Sequence, residues 1–217
     1  MKLLLTSSGF TNQKIIDALA DLVIKPFKDL CLAFIPTAAN VLSESKDWLI
    51  DDLYNCKKLG FKSIDIVDFS AVPRSIWLPR LERADILFFG GGSNYYLMAS
   101  LIKFGLDKLL PELLKTRVYV GLSAGSSVTS PWWDGKYDHE FYDEADSPPK
   151  YKQLGFVGFQ IMPHFNLPAF SKLTLENIKK LANEIQDTIY VLDNDSAVKV
   201  DGSSVEVVSD GVWHKFN

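Results

Sequence analysis

The chain has 217 residues, 47% apolar and 23% charged, the balance of a single soluble domain, which excludes a disordered or fibrous protein. Its 23 basic and 27 acidic residues sum to a net charge of −4, which argues against nucleic acid or an anionic membrane surface as a partner. No apolar run reaches the roughly 18 residues of a membrane span, and Cys31 and Cys56 supply neither a metal-ligand spacing nor a disulfide framework.

The opening Met-Lys-Leu-Leu-Leu-Thr-Ser-Ser-Gly is too short in apolar length for a signal peptide, so the expected location is the cytoplasm. Residues 3–6, 30–36, 63–69, 86–89 and 118–122 are strand-length apolar runs, nearly unbroken, as in strands covered on both faces. Between them, residues 14–24 place Ile15, Ala18, Leu19 and Leu22 on one helical face. Residues 43–59 read as a helix with Ser43 as N-cap, and residues 106–115 as a helix that Pro111 must kink or restart. This alternation predicts an α/β domain with a mainly parallel sheet and helices on both faces. The tail reads as a helix at 173–185 and strands at 188–193, 196–200, 205–209 and 212–216. Asp201-Gly202 and Asp210-Gly211 supply hairpin turns, so the chain is expected to end in an antiparallel meander. No linker interrupts the pattern, and residues 1–217 are expected to form one domain. The exception to the rhythm is 131–153, a stretch rich in both aromatic and acidic residues. A loop of that length in a compact domain is usually functional.

The strongest chemical signal is Gly121-Leu122-Ser123-Ala124-Gly125, directly after the fifth predicted strand. Gly-x-Ser-x-Gly at a strand-to-helix turn is a nucleophile elbow, whose glycines permit the tight backbone that lifts the serine oxygen into a cleft. The competing reading is a plain Gly/Ser turn at a sheet edge. A serine nucleophile needs a base, and the chain offers His139, His164 and His214. His214 lies in the last strand and His139 among charges. His164 follows the apolar run 157–161 and so sits on the rim where α/β sheets carry their sites. An orienting carboxylate could come from Asp134, Asp138, Glu140, Asp143, Glu144 or Asp146, among which residue chemistry does not choose. Gly90-Gly91-Gly92-Ser93-Asn94 leaves another strand through three glycines, whose N–H groups can form an oxyanion hole; the sequence fits neither phosphate-loop pattern.

Gly-Gly-Gly after a strand, Gly-x-Ser-Ala-Gly beyond it and Pro163-His164-Phe165 further on together resemble the S51 serine peptidases, which include peptidase E, an aspartyl dipeptidase, and cyanophycinase. The resemblance runs over nearly the whole chain. It implies a three-layer sandwich like the class I glutamine amidotransferases, and hydrolysis of small peptides without metal or cofactor. It also implies Ser123 as nucleophile, His164 as base, and an oxyanion hole from Ala124 with Gly91 or Gly92. An ungapped comparison from Ser123 through Pro131 implies Asp138 as the triad acid. The chain departs from the family at Ser93-Asn94, at Met162, and at Leu175, which stands where aspartyl-specific members carry an arginine. A preference for aspartyl substrates is therefore not expected. Two other readings stay open: an esterase of the α/β-hydrolase type, and a catalytically silent binding protein. No membrane or nucleic-acid partner is expected, and a homodimer is compatible with the sequence.

Overall fold

The computed structural model describes residues 1–142 and 147–217. Strands β1 (Lys2–Thr6), β2 (Cys31–Ile35), β3 (Ser63–Ile66), β4 (Ile86–Phe89) and β5 (Val118–Leu122) alternate with helices α1 (Gln13–Leu22), α2 (Asp47–Lys58), α3 (Arg74–Arg83), α4 (Asn94–Phe104) and α5 (Leu106–Leu113). Then come α6 (Ala124–Ser127), β6 (Trp132–Trp133), α7 (Gly135–Phe141), β7 (Tyr151–Lys152), β8 (Gln160–Met162) and α8 (Leu175–Glu184). Strands β9 (Ile189–Leu192), β10 (Ser196–Asp201), β11 (Ser204–Ser209) and β12 (Trp213–Phe216) finish the chain.

The main sheet has the order β11-β10-β1-β5-β4-β2-β3. Its first five strands in sequence run parallel, and β10 and β11 are added antiparallel beside β1. Because side chains alternate across a strand, the sheet makes two cores. Leu3, Leu5, Ala33, Ile35, Leu87 and Phe89 pack with Trp77, Leu81, Leu97, Leu101 and Leu110 of α3, α4 and α5. Leu4, Leu32, Phe34, Ile86 and Phe88 pack with Ile15, Leu19 and Leu22 of α1 and with Cys56 of α2. Two helical layers therefore enclose one sheet, as in the predicted sandwich.

Several expectations are corrected. The second helix starts at Asp47 rather than Ser43, and has no side-chain cap. Pro111 lies inside α5 without splitting it: it is the sixth of eight helical residues, and its missing N–H costs only one bond near the end of a short helix. The third predicted strand ends at Ile66 and is a partly exposed edge strand rather than one covered on both faces. The tail is not one meander. The hairpin at Asp201-Gly202 joins β10 to β11, but β12 pairs with β9, and β9 pairs in parallel with β8, in a separate three-stranded sheet.

Candidate active site

The elbow forms where β5 ends. Ser123 has φ 51° and ψ −112°, a backbone conformation L-residues rarely hold. The turn is clamped from β1: Ser123 N–H donates to the Thr6 carbonyl at 3.1 Å, and the Ser126 hydroxyl donates to the same oxygen at 2.7 Å. Gly125 has to be glycine, because a Cβ there would lie 2.1 Å from the Phe89 carbonyl oxygen.

His164 follows β8, also with positive φ, at 68°. Its Nε2 lies 2.8 Å from Ser123 Oγ and its Nδ1 lies 2.8 Å from Asn194 Oδ1. An amide oxygen can only accept, so the imidazole proton sits on Nδ1, and Nε2 is left to accept from the serine hydroxyl. Ser7, just past β1, holds both partners. Its hydroxyl accepts from the His164 backbone N–H at 2.8 Å and faces Asn194 Oδ1 at 3.4 Å. The ring of Phe170 stacks on the imidazole with centroids 5.1 Å apart. Burial pushes the His164 pKa below its ordinary value, an effect opposed by the hydrogen bond to Asn194.

The pairing of His164 with Asn194 follows from register. Strands β8 and β9 are parallel neighbours with Met162 opposite Val191, so the residues just past their carboxyl ends meet. Asn194 is fixed in turn by Asp193, whose carboxylate accepts from Asp195 N–H and the Ser196 hydroxyl, and by Thr11, whose hydroxyl donates to the Asn194 carbonyl. Sequence reasoning looked only among carboxylates of one loop and so passed over this amide. The signal available was its position, directly after an apolar strand on the same rim as His164.

Asp138 is therefore not the imidazole's partner. It lies in α7, buried, and accepts from Trp133 Nε1 at 2.6 Å and from the Tyr151 hydroxyl at 3.1 Å. Burial raises its pKa, while these hydrogen bonds work in the opposite direction. Of the other candidates, Asp134 caps α7 through the Lys136 N–H, Glu140 is exposed, and Asp143, Glu144 and Asp146 lie outside the described residues. His139 is exposed, and His214 makes an edge contact with Phe165.

The glycine turn lies over the elbow. A Cβ added to Gly91 would sit 3.4 Å from the Ser123 Cβ and 3.7 Å from the Trp48 ring, which places α2 at the cleft as well. Gly92, at φ 134°, admits no Cβ, since one would lie 2.2 Å from the Ala38 carbonyl. Among the described residues, the N–H groups of Gly91, Gly92 and Ala124 have no backbone acceptor. A narrow cleft opens here, lined by Gly92, Asn94, Ser123, Ala124, Ser127, Trp133, Asp138, Tyr142 and Pro163.

A three-layer α/β fold that carries a serine on a strained strand-to-helix turn, hydrogen-bonded to a half-buried histidine, is the architecture of a serine hydrolase. The chain belongs to peptidase family S51, whose family pattern matches residues 3–208. An uncharacterized peptidase of Listeria monocytogenes is 27% identical over 80% of this chain and 83% of its own. Peptidase E of Streptomyces coelicolor is 35% identical over 63% of this chain and 56% of its own. In three dimensions, a peptidase E candidate from Listeria monocytogenes superposes with a TM-score of 0.78 at 26% identity, covering 97% of this chain and 98% of that one. A peptidase from an acI-B1 actinobacterium shares the fold at a TM-score of 0.70 and 23% identity, over 99% and 90% of the two chains. Among the described residues no helix is long and apolar enough to cross a membrane.

Proposed function

We propose that this peptidase hydrolyses small peptides through an acyl-enzyme formed on Ser123. His164 Nε2 takes the hydroxyl proton as Ser123 Oγ attacks the peptide carbonyl, and returns it to the departing amine. It then activates the water that releases the acyl group. Asn194 holds the Nδ1–H tautomer through the attack. The N–H groups of Ala124 and of Gly91 or Gly92 meet the oxyanion, whose charge develops only in the transition state.

The observation that carries this reading is the 2.8 Å contact between Ser123 Oγ and the ring of half-buried His164. The test pairs labelling by a fluorophosphonate probe with a screen of dipeptides, short peptides and simple esters. Ser123 should be labelled, and peptides should be cleaved faster than esters of matched side chain. Labelling with ester hydrolysis alone would make the chain an esterase. Neither labelling nor turnover would make it a silent binding protein.

A further inference from the structure

We propose that Tyr119 is a positioning residue for the oxyanion hole: from beneath the elbow, its hydroxyl fixes the direction in which the Ala124 N–H points. This rests on Ser123 being the nucleophile. Tyr119 lies in β5 and is wholly buried. Its ring stacks on Phe89 with centroids 4.8 Å apart and meets Phe156 edge-on, and its hydroxyl donates to the Gly125 carbonyl at 2.5 Å. Phenylalanine would serve the packing alone, and a buried hydroxyl is costly unless bonded. What the phenol oxygen adds is the bond to Gly125. Burial raises the Tyr119 pKa, which keeps the phenol protonated as a donor must be.

Gly125 lies in the single turn of α6, and among the described residues no backbone N–H reaches its carbonyl: Val128 N–H bonds Ala124, and Thr129 N–H bonds Ser126. That carbonyl can rest against β5 only because residue 121 is glycine, since a Cβ there would lie 2.6 Å from the Gly125 oxygen. From Gly125 the bonds run to the cleft in two steps. Each peptide is planar and trans, with its carbonyl and its N–H pointing opposite ways. The peptide whose carbonyl Tyr119 holds ends in the Ser126 N–H, which donates to the Ser123 carbonyl at 2.8 Å, joined by Ser127 N–H at 2.9 Å. The peptide that bears the Ser123 carbonyl ends in the Ala124 N–H, which is thereby turned away from both donors, and Ala124 lines the cleft. Hydrogen bonds in such a chain polarise one another. Tyr119 therefore sets both the angle and the strength of a donor it does not touch.

The experiment begins with Tyr119→Phe, which keeps the ring and removes the bond. With the best peptide from the screen, kcat should fall roughly 10- to 100-fold, as suits an oxyanion donor misaligned rather than deleted. KM and the acid limb of the pH profile should stay in place, because the His164–Asn194 pair is untouched. A boronic acid analogue of the same peptide reads the hole directly: Ser123 Oγ adds to boron, His164 takes the hydroxyl proton, and a boron-bound oxygen occupies the oxyanion's place. Its affinity should drop by the same factor as kcat. Replacing Tyr119 by p-aminophenylalanine restores a donor weaker than the phenol and should recover part of both losses. Should Tyr119→Phe fail to fold, that form carries the test, with kcat and boronate affinity expected to fall together below the wild type. Phe156→Leu loosens the same packing but keeps the hydroxyl, and should lower the thermal melt without lowering boronate affinity. An unchanged kcat in Tyr119→Phe, a loss of kcat with boronate affinity intact, or an equal loss of that affinity in Phe156→Leu would overturn the proposal. If Ser123 of the wild type took no fluorophosphonate label, the underlying reading would fall first.

Discussion

Ser123 and His164, the proposed nucleophile and base, both sit at positive φ. Strain of this kind survives only where neighbours over-determine it, here Thr6 for the serine and Ser7 for the histidine. Ser123→Ala should fold normally and lose roughly 10³-fold or more of turnover. His164→Ala should lose a similar amount, and the double variant should be little worse than either; additive losses in steady-state kinetics would show that the two do not act together. The orienting residue leads to a different expectation from that of a carboxylate triad. Asn194 is neutral and offers geometry without charge, so Asn194→Ala should cost roughly 10- to 100-fold, well short of the ~10⁴-fold reported by removal of a triad acid's function. Burial lowers the His164 pKa, so the acid limb of kcat/KM should lie below the usual histidine value of about 6.5. Asn194→Asp should move that limb upward, since a carboxylate stabilises the imidazolium. A pH profile with no shift would detach Asn194 from the titrating histidine.

Elements were legible where one cause decided them. Strands β4 and β5 match the predicted 86–89 and 118–122 residue for residue, because an unbroken apolar run bounded by polar residues has little else to be. Helix α3 was missed. It carries Pro79 in its middle, and only Trp77 and Leu81 are buried, too few to show a period. The segment 131–153 was read as an open loop because its aromatics and acids obey no single spacing. Its order comes from long-range packing: Trp133, Tyr137 and Phe141 join Ile178, Leu181 and Ile185 of the α8 region in a third apolar cluster. No local pattern could announce that contact. The two partners of the Ser123–His164 contact are legible as motifs, whereas the His164–Asn194 pair depends on the β8–β9 register. Because α7 bears Asp138, Phe141→Ala should destabilise the protein by about 3–5 kcal/mol. It should also raise KM more than it lowers kcat. Urea unfolding with steady-state kinetics checks both, and an unchanged KM would separate α7 from the cleft.

At the scale of the whole molecule, one buried acid sets a pH dependence of stability. Asp52 of α2 has its Oδ2 buried with no hydrogen-bond partner among the described residues, and burial, aided by Asp51, pushes its pKa up to about 7. Below the ordinary carboxyl value of 3.8 the group is neutral in both folded and unfolded chains and costs nothing. Between 3.8 and about 7 the folded state holds a proton that the unfolded state has released, so stability falls as pH rises; above about 7 the deficit is constant. At 1.36 kcal/mol per pKa unit its ceiling is about 4 kcal/mol. Asp52→Asn should therefore be more stable than the wild type at pH 8, by an amount that disappears near pH 3.5. Thermal melts across that range measure it, and a constant gap would refute it. The sheet order carries a further consequence, for the order of events at the ribosome. Strand β10 is made long after β1 yet inserts beside it, and Asn194 lies just ahead of β10. The nascent chain thus carries the elbow through the exit tunnel long before Asn194, the hydrogen-bond partner of His164, has been translated. The contacts that join Ser123, His164 and Asn194 can close only after the strands on either side of Asn194 have been made.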